Sequence, residues 1–404
     1  MSHRFPAGFI RPGYDPLKVP DAPTGASATG GDASASVSFT PPSNVGGSAI
    51  TQYQTIAYTG GVYVSNTAGT SSPITVTGLS NGTEYTFQVW ALNSYGPSPF
   101  SAMSGGATPA ATRGIFGGGG AGGMSANNIY YINVSTAGNS TSFGLLTRRT
   151  ENLAACASTT RGIFGGGYDG YAGTNVATIS YITIATTGNA TSFGSLSVAR
   201  AALAACSSST RGVFGGGSES SAGIVSTIEY ITIASTGNAT FFGNLTQART
   251  ALASCASPTR GVWAGGTTGS EVATIDYVTI ASTGNATSFG SLTVASRSFS
   301  GCSSSTRGLF GGAWAGGVSN VIGYITIAST GDATDFGDLT VSRAYTAACS
   351  SATRGVWAGG DTGSTTNVID YVTIATTGNA TDFGDLNSGR HSMAGLSNNS
   401  GGVQ

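Results

Sequence analysis

The chain has 404 residues, which is enough for two or three domains with substantial cores. Only 8% of the residues are charged and the formal net charge is −1, so no strong field exists to attract nucleic acid or an anionic membrane surface. The 64 glycines suit many short strands and tight turns, because glycine destabilises helix and strand interiors by about 0.5–1 kcal/mol relative to alanine. No run of about 18 apolar residues is present, so no membrane-spanning helix is predicted.

Residues 1–18 are rich in proline, glycine and aromatic residues and are too few to bury a core. They have no continuous apolar stretch of the kind found in secretory signals. Two interpretations stand: a disordered tail, or an extended docking arm that becomes ordered on binding a partner. We favour docking because the segment is too apolar for a solvated linker. The residues that would dock are Phe5, Phe9, Ile10, Tyr14 and Leu17.

Residues 19–110 alternate apolar and polar side chains in short runs that are separated by turn clusters, as in Ala35–Phe39 and Tyr85–Trp90. Such alternation indicates antiparallel sheets with one buried and one solvated face. About 90 residues with this pattern predict a β-sandwich.

This segment resembles a fibronectin type III domain. The similarity rests on Asp21-Ala-Pro-Thr24, on Phe39 followed by two prolines, on residues 79–85 as a tyrosine corner, and on residues 91–96. Phe39 stands where the family has tryptophan, and no Arg-Gly-Asp loop is present, so the resemblance implies a spacer rather than an integrin ligand.

The remainder, residues 111–404, is an internal repeat. Thr-Arg-Gly followed by an aliphatic and an aromatic residue recurs at spacings of 48, 50, 49, 47 and 47 residues, beginning at Thr112, Thr160, Thr210, Thr259, Thr306 and Thr353. Each unit contains four short strand-like segments, and a Gly-Asn or Gly-Asp pair precedes the outermost one. We predict that this pair forms a tight turn with positive φ angles.

Four strands in a repeat of this length are typical of a propeller blade. The glycines that end one strand, the tyrosine of the next and the arginine before the first resemble kelch repeats, although phenylalanine replaces the tryptophan of the outer strand. The chain begins the repeat at a second-strand segment and ends with His391–Gly395, which aligns with the innermost strands. We therefore predict an all-β protein: a fibronectin type III-like sandwich followed by a six-bladed kelch-like β-propeller closed by its last strand.

Several recurring residues have a structural and a functional interpretation. Five cysteines and Leu396 occupy equivalent positions, and we favour small buried side chains over a metal-binding thiol ring. Two sets of arginines recur, and we favour hydrogen bonds to neighbouring blades over sugar binding. The second set is Arg149, Arg200, Arg249, Arg297, Arg343 and Arg390.

Catalytic constellations are missing from the sequence. His3 and His391 are the only histidines, and no Ser-His-Asp set, metal-ligand cluster or recurring pair of carboxylates stands out. We therefore predict a protein that is not an enzyme and that needs no metal or other cofactor.

The loops between the second and third strands of each repeat differ in length and sequence, whereas the turns on the opposite face are nearly uniform. These loops are residues 118–127, 167–176, 217–226, 266–272, 312–320 and 360–367. A constant scaffold with divergent loops is typical of a recognition surface, although neutral drift gives the same pattern. Aromatic residues there could stack on sugars and acids could accept their hydroxyl protons. The candidate binding residues are Tyr168, Asp169, Tyr171, Glu219, Glu271, Trp314 and Asp361.

The combined layout and the arm resemble virion proteins of tailed phages, especially those of marine and cyanobacterial hosts. The resemblance implies a protein made in the host cytoplasm and exposed on the virion, oligomeric in the particle and attached through the arm to other virion proteins. Two functions remain open: a tail or fibre adhesin that binds host-surface glycan, and a structural decoration of capsid, neck or baseplate. Neither interpretation involves nucleic acid or membrane as a partner.

Overall fold

The computed structural model describes residues 17–398. Between these limits the chain is all-β, with 37 strands and no helix, so no helix there could cross a membrane. The chain divides into two compact units, Met1–Ala111 and Thr112–Gln404. Of the predicted docking residues, Leu17 is exposed, and Phe5, Phe9, Ile10 and Tyr14 lie outside the described residues.

The first unit contains two antiparallel sheets, ordered β1-β2-β5 and β4-β3-β6-β7. Its strands are β1 (Thr24–Gly31), β2 (Ser34–Thr40), β3 (Gln52–Thr59), β4 (Val62–Gly69), β5 (Ile74–Thr77), β6 (Thr86–Asn93) and β7 (Gly96–Pro97). Alternate residues of β2, β3 and β6 are buried, as the period-two pattern predicts. Phe39 lies in this core with its ring centroid 4.8 Å from that of Tyr53.

Two local contacts define the first unit further. The Tyr85 hydroxyl accepts a hydrogen bond from the Ser80 amide at 3.0 Å, which is the contact expected of a tyrosine corner. Lys18 was predicted to belong to the arm, but its amide donates to Gly46 and its carbonyl accepts from the Asn93 side chain. Lys18 is therefore tied to the sandwich, because its backbone groups pair there.

The strands of the second unit follow the sequence repeat. In chain order they are β8 (Arg113–Ala121), β9 (Met124–Ser125), β10 (Asn128–Asn133), β11 (Thr141–Leu145), β12 (Ala154–Ala157), β13 (Arg161–Gly165), β14 (Tyr168–Asp169), β15 (Thr174–Asn175), β16 (Thr178–Thr183), β17 (Thr191–Ser195), β18 (Arg200–Ala201), β19 (Ala204–Ser207), β20 (Arg211–Gly215), β21 (Ser218–Glu219), β22 (Gly223–Ile224), β23 (Thr227–Thr232), β24 (Thr240–Asn244), β25 (Ala253–Ala256), β26 (Arg260–Ala264), β27 (Thr274–Thr279), β28 (Thr287–Ser291), β29 (Ser300–Ser303), β30 (Arg307–Gly311), β31 (Val321–Thr326), β32 (Thr334–Asp338), β33 (Ala347–Ser350), β34 (Arg354–Ala358), β35 (Val368–Thr373), β36 (Thr381–Asp385) and β37 (His391–Ser397).

Twenty-four of these strands form six antiparallel sheets, each with an inner, second, third and outer strand, and the two-residue strands β9, β14, β15, β18, β21 and β22 lie outside this four-strand pattern. We number them I (β37-β8-β10-β11), II (β12-β13-β16-β17), III (β19-β20-β23-β24), IV (β25-β26-β27-β28), V (β29-β30-β31-β32) and VI (β33-β34-β35-β36). The inner strand of sheet I is the last strand of the chain, and it pairs with β8 from His391 opposite Gly120 to Ser397 opposite Gly114.

Within each sheet the repeated aromatic residues pack together. The tyrosine of the third strand meets the phenylalanine of the outer strand edge to face, as in Tyr230 and Phe242 with centroids 6.0 Å apart. The second-strand arginine of the same sheet lies over the tyrosine ring, 4.4 Å from its centroid in the case of Arg211. The same triad recurs in all six sheets. The phenylalanine thus packs against the tyrosine on the outer strand of every one of these sheets.

The Gly-Asn segments do not form the predicted left-handed turn. No asparagine in them has positive φ, and Gly378 is the only glycine in them that does, at 156°, close to extended backbone. The segment instead runs along the outer strand of the preceding sheet: Gly188 and Ala190 donate to Phe143 and Leu145, and the Asn189 side chain accepts from the Leu145 amide. Its polar side chain therefore links two sheets rather than closing a turn.

The glycine of each Thr-Arg-Gly accommodates a side chain of the preceding sheet. A Cβ built on Gly212 would lie 2.6 Å from the Cys156 sulfur, and one on Gly114 would lie 2.4 Å from that of Cys349. Leu396 approaches Gly162 in the same way. The five cysteines are free and fully buried, and burial raises the pKa of the Cys156 thiol well above its ordinary value of 9.0. Their contacts are those of small apolar side chains.

Candidate ligand-binding face

One edge of the second unit carries two kinds of chain segment. They are the second-to-third-strand loops named above and the connectors that join each outer strand to the inner strand that follows. Both leave the sheets at the same edge because neighbouring antiparallel strands run in opposite directions. We call this edge the loop face.

Each loop is fixed to a connector by backbone pairing. Glu151 and Tyr168 exchange two backbone hydrogen bonds, of 3.0 and 2.7 Å, and Arg297 and Trp314 do the same. Ala344 pairs with Asp361 in the same way. The candidate residues Tyr168, Trp314 and Asp361 therefore stand at equivalent, anchored positions.

Asp169 shapes its loop from a buried position. One carboxylate oxygen accepts from the Tyr171 and Ala172 amides, and the other accepts from Arg148 at 3.0 Å. The Ala172 hydrogen bond and the Arg148 contacts hold the pKa of this carboxyl below its usual range, although desolvation opposes them. Only 7% of the Asp169 surface is exposed, so little of this carboxylate is free to accept a hydrogen bond from a sugar hydroxyl.

Glu271 and Trp314 are both in contact with Arg297. The guanidinium donates to Glu271 at 3.0 Å, and it lies 5.6 Å from the centroid of the Trp314 ring. The pKa of Glu271 is lowered, mainly by the hydrogen bond from its own amide and then by that from Arg297. Two candidate residues from neighbouring loops are thus brought together by a connector arginine that the sequence did not associate with them.

The remaining candidates are more dispersed. Glu219 lies half-buried in β21 opposite Arg200, and Asp361 accepts a hydrogen bond from the Gly363 amide. Tyr171 is the most prominent, with 92% of its surface exposed, beside an open cavity lined by Arg148, Arg149, Asp169 and Tyr171. The seven candidates therefore form at least two separate clusters, one around Tyr171 and one around Trp314.

Beneath the loop face, three connector arginines form buried ion pairs with the third strand of the next sheet. Arg200 pairs with Glu229, Arg249 with Asp276 and Arg343 with Asp370, at 2.6–2.9 Å and with at most 1% of any of these side chains exposed. Burial lowers the pKa of each arginine, and the facing carboxylate opposes that shift. These carboxylates are recurring acids that sequence reasoning missed.

At five of the six equivalent positions the arginine and the acid are present or absent together. Between sheets I and II, Thr150 stands in place of the arginine and Ser180 in place of the acid. Between sheets IV and V, Ser296 stands in place of the arginine and Gly323 in place of the acid. At the sixth position Arg390 faces Tyr130 and donates to its hydroxyl at 3.2 Å. This agreement is the sequence signal that could have revealed the pairs, since an unpaired buried charge is strongly unfavourable.

Two of the six arginines predicted to occupy equivalent positions, in the second set, do not do so. Counting back from the cysteines, Thr150 and Ser296 occupy the buried position, whereas Arg149 and Arg297 are one residue displaced. Arg149 is exposed and Arg297 is half-buried. The first set, the Thr-Arg-Gly arginines, donates to carbonyls of the next sheet, as Arg161 does to Ile233 at 3.1 Å.

Chemistry-bearing clusters are sparse in the part of the chain that the structure describes. It contains no group of three or more His, Cys, Asp or Glu side chains able to hold a metal ion. His391 contacts the Ser392 hydroxyl and packs against Tyr345.

Comparison with known proteins identifies the first unit. Residues 21–105 match the family model of the fibronectin type III domain, which confirms that part of the sequence-based prediction. Among solved structures, the crystal structure of domains A168-A170 from titin is 28% identical over 23% of this chain and 32% of its own, with a TM-score of 0.22. The chain thus spans about a third of that structure. No curated protein matches the chain.

Proposed function

We propose that the second unit is a six-bladed, kelch-like β-propeller, and that the chain is a virion surface protein of a tailed phage whose loop face binds a host-surface glycan. The propeller arrangement is supported by contacts that pass from each sheet to the next and return to the first. The function is supported by the contrast between the two faces of that scaffold.

The first set of contacts lies at the inner strands. The amide of Ala202 donates to Asn152, that of Ala251 to Ala202 and that of Ser298 to Ala251. The series continues through Tyr345 and Ser392, and it returns from Asn152 to Ser392 at 2.9 Å. This cycle supports the proposal that the six sheets are arranged as blades around a ring.

The second set lies at the outer strands. Each Gly-Asn segment hydrogen-bonds to the preceding outer strand, and Gly138 of sheet I donates to Phe383 of sheet VI. The third set consists of the Thr-Arg-Gly arginines, among which Arg354 of sheet VI donates to Val134 of sheet I. A ring closed in this way leaves no inner edge strand exposed to another chain.

The observation that carries the binding proposal is the difference between the faces. On the face opposite the loops, a serine hydroxyl accepts from the arginine amide three residues later in five successive repeats, and the geometry hardly varies. On the loop face each loop has its own side chains, held on the same backbone anchors. A fixed frame with variable projecting groups suits recognition.

A glycan fits the two clusters better than a strongly charged ligand would. Tyr171 offers an exposed ring and Trp314 an indole held by Arg297, and aromatic faces of this kind pack on the C–H faces of sugars. Asp169 and Glu271 are already paired with arginines, so the loop face carries little free negative charge near these rings.

The remaining parts of the proposal concern placement on the particle. We infer that the fibronectin type III domain is a spacer and that the arm, residues 1–16, docks on other virion proteins. The second candidate is a decoration protein of capsid, neck or baseplate without receptor binding. The low charge and the compact, closed scaffold favour it as well.

A glycan array combined with labelling in intact particles separates the two functions. The adhesin proposal expects saturable binding of a host-surface glycan by the full chain, weakened by Tyr171→Ala and not by Ser208→Ala on the opposite face. Absence of glycan binding, together with labelling on the capsid shell, would favour decoration.

A further inference from the structure

Three borders between neighbouring sheets lack the buried ion pair: at the border of sheets VI and I, Arg390 faces Tyr130, and at the other two both charged residues are missing and a cavity lies in their place. Between sheets I and II the residues in place of the pair are Thr150 and Ser180, and between sheets IV and V they are Ser296 and Gly323. Replacing an arginine and an acid by residues this small removes many side-chain atoms from the border. The cavities are therefore what the missing pairs leave behind.

The cavity between sheets IV and V is the more open to a ligand. It encloses about 460 Å³ including its mouth, against about 230 Å³ at the other border. Phe299 and Phe310 pack edge to face at its floor, with ring centroids 6.1 Å apart. Leu292, Val294, Ala313, Ala315 and Val321 complete most of the wall.

The polar atoms of this wall already have partners. The Ser296 hydroxyl donates to the Val294 carbonyl at 3.0 Å, and the Ser319 hydroxyl accepts from the Val321 amide at 3.2 Å. No buried side-chain nitrogen or oxygen of the cavity lining lacks a hydrogen bond. A ligand there would therefore be selected for apolar contact rather than for charge.

The cavity opens on the loop face. One side of the mouth is the connector at residues 292–296 and the other is the loop at residues 313–321. Val294 and Val321 are exposed at the rim, whereas Phe299, Phe310 and Ala313 are buried at the base. An incoming group would thus move from exposed apolar side chains to buried ones.

We propose that this cavity binds one uncharged apolar group of about the size of a six-membered carbon ring. At three other borders the same place is filled by a planar guanidinium and a carboxylate, so the space suits a compact planar group. The loss of both charges and the two phenylalanines make burial of a hydrocarbon favourable. The proposal does not depend on whether the loop face binds a glycan.

Benzene is a direct probe of this site, because it is an uncharged planar ring of the proposed size and apolar cavities bind it. We expect the melting temperature of the full chain to rise with benzene concentration, and above the dissociation constant to rise with its logarithm, as it does for a ligand that binds only the folded state. The double variant Ser296→Arg with Gly323→Asp restores the pair and should abolish the rise. Ser296→Leu, which fills the space without charge, should reduce it.

The matched control fills the other border. Thr150→Arg with Ser180→Glu introduces the same kind of pair between sheets I and II and should leave the benzene-dependent rise intact. An equal rise in the variants filled at Ser296, or no benzene-dependent rise in the parent, would overturn the proposal.

Discussion

Arg249 and Asp276 form an ion pair at 2.6 Å in which both side chains are completely buried. The guanidinium also donates to the Gly265 and Thr274 carbonyls, and the carboxylate also accepts from Thr246. Each charge is thus compensated, and although the Arg249 Nε atom is buried without a partner, the other polar atoms of the pair are hydrogen-bonded, which is the condition under which a buried pair can be retained. The pair joins the connector that leaves sheet III to the third strand of sheet IV.

Breaking this pair on one side should destabilise the second unit strongly. Asp276→Ala leaves Arg249 buried without a counter-charge, so we expect a loss of about 3–5 kcal/mol in the free energy of unfolding. Arg249→Met with Asp276→Leu removes both charges and should recover most of that loss. Denaturant titration of both variants checks this, and a double variant as unstable as the single one would contradict it.

Arg390 should behave in the opposite way to Arg249. It faces Tyr130 instead of an acid, and its Nε and Nη1 atoms are buried without a hydrogen-bond partner. Arg390→Met should therefore change the free energy of unfolding by less than about 1 kcal/mol or stabilise the protein, because it removes unsatisfied donors. Arg249→Met leaves Asp276 buried without its counter-charge and is the matched comparison. Equal losses in the free energy of unfolding for the two variants would contradict this explanation.

The inner cycle of hydrogen bonds places six non-glycine residues in the left-handed region. Ala251 has a φ of 55°, and Asn152, Ala202, Ser298, Tyr345 and Ser392 have values of 51–58°. A left-handed backbone conformation costs a non-glycine residue roughly 1–2 kcal/mol. Glycine avoids this cost, but it loses more conformational entropy on folding, so only part of the energy is recovered. Ala251→Gly should thus stabilise the protein by up to about 1 kcal/mol. Ala253→Gly, in the extended strand β25, should instead destabilise the protein. The melting temperatures of the two variants relative to the parent test this difference in sign.

The repeat made much of the fold predictable. Its period and its alternating apolar residues give the strands, and the position of His391–Gly395 in the repeat indicates which strand it replaces. The Gly-Asn segment was misread because glycine and asparagine favour turns in isolation, whereas here tertiary contacts with Phe143 and Leu145 hold the segment extended.

The candidate face was predictable only in outline. Loop divergence located it, but burial and pairing could not be read from side-chain type. Asp169 was expected to be available to a ligand, yet its partners are backbone amides whose direction depends on the turn that they form. Arg149 and Arg297 were assigned to the wrong positions of the repeat because the arginines were aligned with one another. Aligning the repeats on the buried cysteines gives the correct equivalent positions.

The closing strand should be essential to the second unit. Deleting residues 390–404 removes β37 and exposes the edge of β8, which pairs with it from Gly114 to Gly120. We expect a lower melting temperature and concentration-dependent aggregation, because an unpaired edge strand is a template for other chains. Deleting only residues 399–404 keeps the whole of β37, from His391 to Ser397, and is the control. Unchanged melting and solubility in the longer deletion would contradict closure by this strand.

Adsorption to host cells tests the loop face under the proposed function. Tyr171→Ala removes an almost fully exposed ring, so we expect weaker adsorption of particles with an unchanged melting temperature. Each lost stacking contact should cost on the order of 1 kcal/mol, multiplied by avidity where many copies bind together.

Trp314→Ala should weaken adsorption as well but also lower stability slightly, because Arg297 loses its contact with the indole. Ser208→Ala on the opposite face should leave adsorption unchanged, although it removes the acceptor of the Arg211 amide and so should lower the melting temperature slightly. If particles that carry both aromatic substitutions assemble normally and adsorb like the parent, the loop face is not the receptor-binding surface and the decoration function takes its place.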